Sequence, residues 1–292
     1  MADATIPVDL FNPGQVFACL GLLEMAEVLL GGARAAFDWR NQEDVRFSVC
    51  ANGDGNPVAV ALEFLSKATV SSVAPAGSSQ STEKWEVPTH LLADGAPFPF
   101  PEPSTPATLP VMLEGKGGFT LQVDHWGEAA SRTRRDAVKF WAGAGGYPGA
   151  ALMLDALNLV RDRIEGAASD PFLLSAPQSS SFRFDWRRDY IPMDVGFSPN
   201  DHGELTMKGF PLVEILAAIG LINARPARIN KLAYRYGVIG VAETDELYDS
   251  LFNRAALGGA PLPFARRTFR MNLGWPGQEN QARCITDVFE ES

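Results

Sequence analysis

Arginine and aromatic residues alternate at residues 182–188, and these side chains are the first candidates for chemistry in the sequence. Guanidinium groups bind phosphates and aromatic rings stack on bases, so the pattern is typical of a nucleic-acid contact. An extended strand sends successive side chains to opposite faces, which predicts buried rings and outward guanidinium groups. The predicted faces are Arg183, Asp185 and Arg187 on one side and Phe182, Phe184, Trp186 and Arg188 on the other. The alternative is an amphipathic strand whose arginines pair with Asp185 and Asp189.

A second basic group, Arg134, Arg135 and Lys139, lies just before the glycine-rich run 143–149. That run lacks the Gly-Lys-Ser/Thr ending of a nucleotide-triphosphate loop. It does precede a predicted helix, whose first N–H groups can hold a single phosphate. We therefore predict a contact with a backbone phosphate of DNA or RNA rather than with a bound nucleotide. The alternative is a glycine-rich connector between two helices.

Three amide side chains, Asn12, Gln15 and Asn200, are candidates for reading base edges in a groove. Asn12 and Gln15 lie near a predicted helix start, and Asn200 lies in a predicted turn. Helix capping and turn stabilisation are the alternative roles for Asn12 and Asn200. Trp186 and Trp141 are candidates for wedging or stacking, with burial in the core as the alternative.

Two polar clusters contain histidine: Asp124-His125 with Glu128, and Asp201-His202 with Glu204. Neither has the spacing of a known zinc site or hydrolase, and a polar loop at a strand end explains both. The sequence also lacks the Gly-x-Ser-x-Gly turn of serine hydrolases. We therefore predict no catalytic residue, no metal site and no cofactor, and hence no enzyme. The alternative is a metal-dependent nuclease that uses Asp124, His125, Asp201 and His202.

The overall charge limits the kind of nucleic-acid binder that this chain can be. Its 292 residues have a net charge of −10, whereas a free-standing nucleic-acid-binding domain is usually basic. The positive charges are nevertheless clustered, at residues 132–139, 183–188, 225–235 and 266–270. The acids concentrate at residues 43–44, 243–249 and 290–291. This segregation favours one basic face on a subunit that works beside other chains.

The sequence also indicates a cellular compartment. No apolar run reaches the roughly 18 residues that a membrane-spanning helix needs, since residues 16–30 contain Glu24 and Glu27. The N-terminus lacks a basic region followed by an apolar core, so we expect no export signal. The three cysteines, Cys19, Cys50 and Cys284, are too widely spaced for a disulfide framework or a metal site. A cytoplasmic protein is therefore expected.

The elements that position these residues indicate an α+β fold, with antiparallel sheets and packed helices. Predicted helices cover about residues 14–30, 57–67, 132–141, 150–165, 211–223 and 244–257. Predicted strands cover residues 45–50, 110–114, 118–125, 182–188, 231–239, 267–275 and 282–289. Residues 69–85, rich in Ser, Ala and Gly, and residues 94–110, rich in Pro, are predicted loops.

Residues 17–23 are similar to residues 216–222, and each segment lies on a helix that proline opens and a strand follows. One interpretation is a pair of pseudo-related α+β halves, residues 1–165 and 166–292, as separate units or as one continuous domain. The alternative is two core helices, each with a mid-helix glycine that allows close packing.

Five motifs occur in an order and spacing that resembles one protein family. They lie at residues 9–24, 139–143, 182–189, 194–200 and 211–221, the last followed by Arg225-Pro226. The first contains the run Asp9-Leu10-Phe11-Asn12-Pro13-Gly14. In these places the sequence is similar to the small, large-subunit-type CRISPR-associated family of the type I-U (I-G) systems. The similarity extends from about residue 7 to residue 275, and the motifs are not general signatures.

The resemblance implies a subunit of Cascade, the crRNA-guided surveillance complex of antiviral defence. Large subunits of such complexes lie at the end that holds the crRNA 5′ handle. They recognise the protospacer-adjacent motif in double-stranded DNA, support R-loop formation and recruit a helicase-nuclease. The implied partners are therefore crRNA, target DNA, other Cascade subunits and that nuclease, while base pairing reads most of the sequence. The alternative is a structural cap that contacts only protein and crRNA.

Overall fold

The computed structural model describes residues 1–98, 103, 105–126, 147–188, 207–241, 246–275 and 283–291, and it has an α+β fold. The described helices are α1 (Pro13–Leu29), α2 (Pro57–Lys67), α3 (Gly149–Val160), α4 (Pro211–Gly220) and α5 (Ser250–Leu257). The described strands are β1 (Ala2–Pro7), β2 (Arg34–Asp38), β3 (Arg46–Ala51), β4 (Thr69–Ala74), β5 (Thr89–Leu91), β6 (Val111–Glu114), β7 (Thr120–Val123), β8 (Ala176–Pro177), β9 (Lys208–Gly209), β10 (Ala227–Asn230), β11 (Ala233–Ile239), β12 (Tyr248–Asp249), β13 (Arg266–Gly274) and β14 (Cys284–Glu291). Among these described helices, none is long and apolar enough to cross a membrane.

Mostly antiparallel pairing joins the described strands into three four-stranded sheets and one two-stranded sheet. The strand orders are β1-β3-β2-β12, β5-β4-β6-β7, β10-β11-β13-β14 and β8-β9. Strand β12 pairs with β2, so a strand from the C-terminal part of the chain completes the N-terminal sheet. One hydrophobic cluster contains residues from Ile6 to Ile285, and this shared core crosses the predicted boundary near residue 165.

Helices α1 and α4 lie at the centre of this core. The Oδ1 atom of Asn12 caps α1 by accepting the Gly14 N–H at 3.1 Å, and Pro13 occupies the first turn, as predicted. Both helices are buried almost all round, which their nearly continuous apolar sequences allow. Gly21 and Gly220 face each other at the contact, because a Cβ on either would collide with the backbone of the other helix. The similar segments therefore correspond to two core helices with close-packing glycines.

Most predicted elements are present with shifted ends. Helices α1, α2 and α4 and the hairpin of β6 and β7 lie where the sequence indicates. Helix α3 ends at Val160 rather than at residue 165, and α5 begins at Ser250 rather than at residue 244. The predicted helix 132–141 lies outside the described residues.

The predicted loop at residues 69–85 is wrong in its first part, because β4 is an interior strand of its sheet. Val70 and Val73 are buried in the core, and Ser72 is buried beside them. The Ser72 hydroxyl lies 2.7 Å from the Thr82 hydroxyl, and this hydrogen bond offsets the cost of burying the polar group. A serine-rich composition therefore concealed a strand whose polar groups are satisfied internally.

Candidate nucleic-acid interface

Residues 181–188 form an irregular turn, and the predicted strand there is wrong. Arg183 has a backbone φ of 67°, in the left-handed region, which breaks the alternation of a strand. Phe182 and Phe184 are fully buried, as predicted, and their rings stack with centroids 5.7 Å apart. Trp186, which the alternation places inside, is 46% exposed. The two predicted faces therefore do not exist.

The guanidinium group of Arg187 is bound by other groups of the protein. Its Nε and Nη2 atoms donate to the two carboxylate oxygens of Asp185 at 3.0 and 2.6 Å. Nη2 also donates to the carbonyl oxygen of Phe172 at 2.8 Å, and the group lies 3.6 Å from the ring centroid of Phe210. Arg187 therefore pairs with Asp185, as the amphipathic-strand alternative predicts for that pair. The other predicted acid, Asp189, lies outside the described residues.

Arg188 is buried and also binds the turn itself. Its Nη1 atom donates to the Ser181 hydroxyl, and Nη2 donates to the carbonyl oxygen of Ser179 at 2.7 Å. Arg183 is half-buried, and its backbone N–H donates to the same Ser181 hydroxyl at 3.2 Å. The predicted outward row of Arg183 and Arg187 is wrong, because the backbone of Arg183 breaks the alternation and the Arg187 guanidinium group is bound inside the turn. A phosphate at Arg187 or Arg188 would have to displace bonds that stabilise the turn.

Asp185 is the buried centre of this turn, and it connects the turn to the start of α1. Asn12 Nδ2 donates to Asp185 Oδ1 at 2.9 Å, while Asn12 Oδ1 accepts the Gly14 N–H. Both polar atoms of the Asn12 side chain are therefore occupied, which is the capping role and leaves the amide unavailable to a base edge. Gly14 is needed here because a Cβ would lie 2.7 Å from the carbonyl carbon of Phe184.

Glu214 connects the same turn to the first turn of α4. Its carboxylate is buried and accepts the backbone N–H groups of Phe184 at 3.2 Å and Asp185 at 3.0 Å. Burial raises the pKa of Glu214 to about 7, and the nearby charge of Asp185 adds to the increase, against the two hydrogen bonds and the charge of Arg188. The turn is therefore held by two buried carboxyl groups from different parts of the chain.

Gln15 and Arg187 both line a groove of about 200 Å³ beside this turn. Gln15 Oε1 accepts the backbone N–H of Asp9 at 2.8 Å. The groove is lined by acids as well, namely Asp9, Glu43, Asp44 and Asp170. The structure thus brings two predicted site residues together, but the surrounding carboxylates would repel a phosphate.

The remaining predicted site residues, Arg134, Arg135, Lys139 and Asn200, lie outside the described residues, as do Trp141, Asp201 and His202. His125 is fully buried, and its ring packs against Trp126 at 4.6 Å and Phe184 at 6.3 Å between centroids. A solvent-facing role for His125 in metal chemistry is therefore not compatible with its position. Within the described ranges, no group of three or more His, Cys, Asp or Glu side chains could hold a metal ion.

Two other arginines lie on one face of the sheet β10-β11-β13-β14, where Arg235 is exposed and Arg270 is half-buried. Arg235 on β11 lies directly opposite Arg270 on β13, and Arg270 lies directly opposite Phe289 on β14. Residues opposite each other in an antiparallel pair point to the same face, so these three side chains form one row across the sheet, here called the Arg270 row. Phe289 is 41% exposed, and the Arg270 guanidinium carbon lies 5.8 Å from its ring centroid.

The charges of the Arg270 row are only partly balanced. Arg235 pairs with Glu291, and this bond raises the pKa of Arg235. In the part of the chain that the structure describes, the buried Nε of Arg270 has no hydrogen-bond acceptor. Like charges directly opposite each other on a sheet are destabilising. Glu291 offsets this for Arg235, so Arg270 is the member of the pair that would gain from a further anion.

Sequence reasoning assigned residues 225–235 and 266–270 to basic clusters but did not select the Arg270 row. The signal was present: Arg235 lies between Tyr234 and Tyr236, and Arg270 lies between Phe269 and Met271. These four neighbours are fully buried on the opposite face of the sheet. The alternation of arginine with large apolar residues is therefore real in β11 and β13, where the backbone is extended.

The chain was compared with protein-family models, curated proteins and solved structures. No protein-family model, no curated protein and no solved structure matches the chain.

Proposed function

We propose that the chain is a non-catalytic, nucleic-acid-binding subunit of a crRNA-guided type I CRISPR interference complex. The observation that carries the proposal is the Arg270 row, in which the exposed ring of Phe289 and the exposed Arg235 flank the half-buried Arg270 on one sheet face. In this role the chain contacts the crRNA 5′ handle or the target DNA near the protospacer-adjacent motif. It thereby supports R-loop formation and recruitment of the helicase-nuclease, in the cytoplasm and together with the other Cascade subunits.

The chemistry of the Arg270 row favours an unpaired strand. Phe289 offers a ring on which a base can stack, and such contacts contribute about 1–3 kcal/mol per base in proteins that bind single strands. Arg270 supplies positive charge for a flanking phosphate, and Arg235 would add to it by exchanging its pairing with Glu291 for a phosphate. RNA-recognition domains use a related arrangement, in which aromatic residues on the face of a four-stranded sheet stack on bases.

The residues that carry the family resemblance support the assignment to such a complex, because three of the motifs meet at one junction. Asn12 from the first motif donates to Asp185 from the third, and Asp185 donates through its backbone to Glu214 from the last. Motifs that are far apart in the sequence thus form one structural unit. The net charge of −10 suits a subunit that binds nucleic acid only beside basic neighbours.

The second candidate is a structural cap that contacts protein and crRNA without reading DNA. It is favoured by Asp287 and Glu291, which lie on the same sheet face as the Arg270 row. Carboxylates weaken phosphate binding, and a face of mixed charge suits a protein partner.

The test compares the reconstituted crRNA complex with and without Arg270→Ala in this chain, on duplexes that differ only beside the target. Arg34→Ala is the matched control, because Arg34 is exposed on β2, in a different sheet. We expect Arg270→Ala to weaken binding. The slope of log affinity against log salt concentration should become less steep by about 0.7–0.9, which is the contribution of one phosphate contact.

Three results separate the candidates. Loss of discrimination between the duplexes supports a reader of the flanking motif. Poor assembly with discrimination kept in the assembled complex supports the cap. Unchanged affinity, salt dependence and assembly would exclude the Arg270 row as the nucleic-acid contact.

A further inference from the structure

The groove that contains Gln15, here called the Gln15 groove, differs from the Arg270 row in charge and shape. Its lining combines the acidic residues Asp9, Glu43 and Asp170 with apolar residues, among which Val45 is half-buried and Leu173 is exposed. Its volume of about 200 Å³ is below the roughly 300–1,000 Å³ of small-molecule sites. The Gln15 groove therefore suits one inserted side chain better than a cofactor.

Two charges at the Gln15 groove are already balanced. Asp44 pairs with Arg46 at 2.8 Å, and Arg187 pairs with the buried Asp185 at 2.6 Å. Three further carboxylates have no salt bridge to any residue that the structure describes: Asp9, Glu43 and Asp170. The groove thus presents an excess of negative charge. Burial raises the pKa of the half-buried Asp170, although the nearby charges of Arg187 and Arg46 act in the opposite direction.

Gln15 gives a second and independent indication of a ligand. Its side chain is only 6% exposed, and its Oε1 accepts the Asp9 N–H at 2.8 Å. The amide is thereby oriented, and its Nε2 atom has no acceptor within the described ranges. Because Gln15 lines the groove, this donor is available to a group that enters it.

We propose that the Gln15 groove binds an arginine side chain from a basic segment of a partner protein. The guanidinium group would lie among the carboxylates of Asp9, Glu43 and Asp170, and a backbone carbonyl of the segment would accept from Gln15 Nε2. The methylene stem would pack on Leu173 and Val45, as long basic side chains do on apolar walls. Arginine fits better than lysine because it has five donors and is more weakly hydrated.

Other occupants fit these residues less well. A phosphate or nucleic acid would meet the uncompensated carboxylates. The carboxylates are not grouped for a metal ion, since the described residues contain no cluster that could hold one. Leu173 at the groove is 66% exposed, so it offers apolar surface to the methylene stem of an entering arginine. The groove would serve in this way whether or not the Arg270 row binds nucleic acid.

The experiment is a titration of the ¹⁵N-labelled full chain with N-acetyl-arginine-N-methylamide, followed by NMR. We expect a saturable shift of the side-chain NH₂ signals of Gln15, with an affinity in the millimolar range. The norleucine analogue, which lacks the charged group, and the lysine analogue are the comparison probes. A Gln15 response that is absent, or equal for arginine and norleucine, would overturn the proposal.

Variants distinguish the groove from general attraction to an acidic protein. Asp170→Asn and the exposed-rim variant Glu43→Gln should each weaken arginine binding by about fivefold, which is typical of a partly exposed charge pair. Glu83→Gln, which changes an exposed acid outside the groove, should leave affinity unchanged. Equal weakening by all three variants would show non-specific binding and contradict the groove.

Discussion

Glu24 and Arg254 join the first described helix to the last. Both carboxylate oxygens of Glu24 accept from the guanidinium group at 2.6 Å, and Asn223 Nδ2 donates to one of them at 2.8 Å. Glu24 is buried although it is charged, because these donors satisfy it. A buried acid in a mostly apolar helix therefore marks the contact between α1 and α5.

Replacing Glu24 by Gln should destabilise the protein, because Arg254 would keep a partly buried charge without its partner. We expect a loss of about 2–4 kcal/mol in the free energy of unfolding, measured by urea denaturation. The double variant Glu24→Met with Arg254→Met removes both charges and should recover most of that loss. A double variant as unstable as Glu24→Gln would show that packing, and not an unpaired charge, causes the effect.

Gly21→Ala should be among the most damaging single-methyl additions in the chain. The added Cβ would collide with the backbone carbonyl of Leu216, and a helix backbone cannot move aside as a flexible side chain can. We expect the free energy of unfolding to fall by about 3 kcal/mol, the upper end of the range for added core methyl groups. Gly166→Ala is the matched control, because a Cβ there meets nothing within 4 Å. A comparable loss in both variants would contradict the close contact of α1 and α4.

The buried carboxyl group of Glu214 makes stability depend on pH. Its pKa is raised from 4.5 to about 7, so the folded state holds the proton more tightly than the unfolded state. Between these values the unfolded chain has released the proton and the folded chain has not. The free energy of unfolding should therefore fall by up to about 3 kcal/mol as pH rises from about 4.5 to 7, and level off above.

Urea denaturation across this pH range measures the effect. The variant Glu214→Gln has no ionisable group at this position, so it should lack most of the pH-dependent fall in stability. At about pH 5 it should be less stable than the parent, because one amide oxygen replaces the two carboxyl oxygens that accept hydrogen bonds. Asp170→Asn is the comparison variant: burial also raises the pKa of Asp170, so this variant should lose only the part of the fall that Asp170 causes and keep the part that Glu214 causes. An unchanged pH dependence in Glu214→Gln would assign the effect to another group.

More of the fold than of the candidate site could be predicted from the sequence. Proline and asparagine before an apolar run gave the start of α1, and alternation gave β11 and β13 with small errors at their ends. Strand β4 was missed because its serine hydroxyls are satisfied by side chains distant in sequence, such as Thr82, which local composition does not reveal.

The interface could not be read from the alternation of residue types alone. Residues 182–188 share with β11 and β13 the alternation of arginine and large apolar residues. In 182–188, however, Arg183 adopts a left-handed backbone conformation, and Asp185 lies close enough to bind Arg187. Whether an arginine is exposed depends on its acceptors, and those of Arg187 and Arg188 come partly from outside the motif, at Phe172 and Ser179. Such contacts depend on tertiary structure.

The two groups of arginines should therefore respond in opposite ways to substitution. Arg187→Ala leaves the buried Asp185 carboxylate without its cation and should reduce the free energy of unfolding by about 3 kcal/mol. Arg270→Ala removes a half-buried guanidinium group whose Nε has no acceptor among the described residues, so it should change stability by less than about 1 kcal/mol while it weakens nucleic-acid binding. Thermal unfolding of each variant, and binding by the assembled complex, measure the two effects. If Arg187→Ala folds as stably as the parent and loses binding, the segment 182–188 is the nucleic-acid contact and the Arg270 row is not.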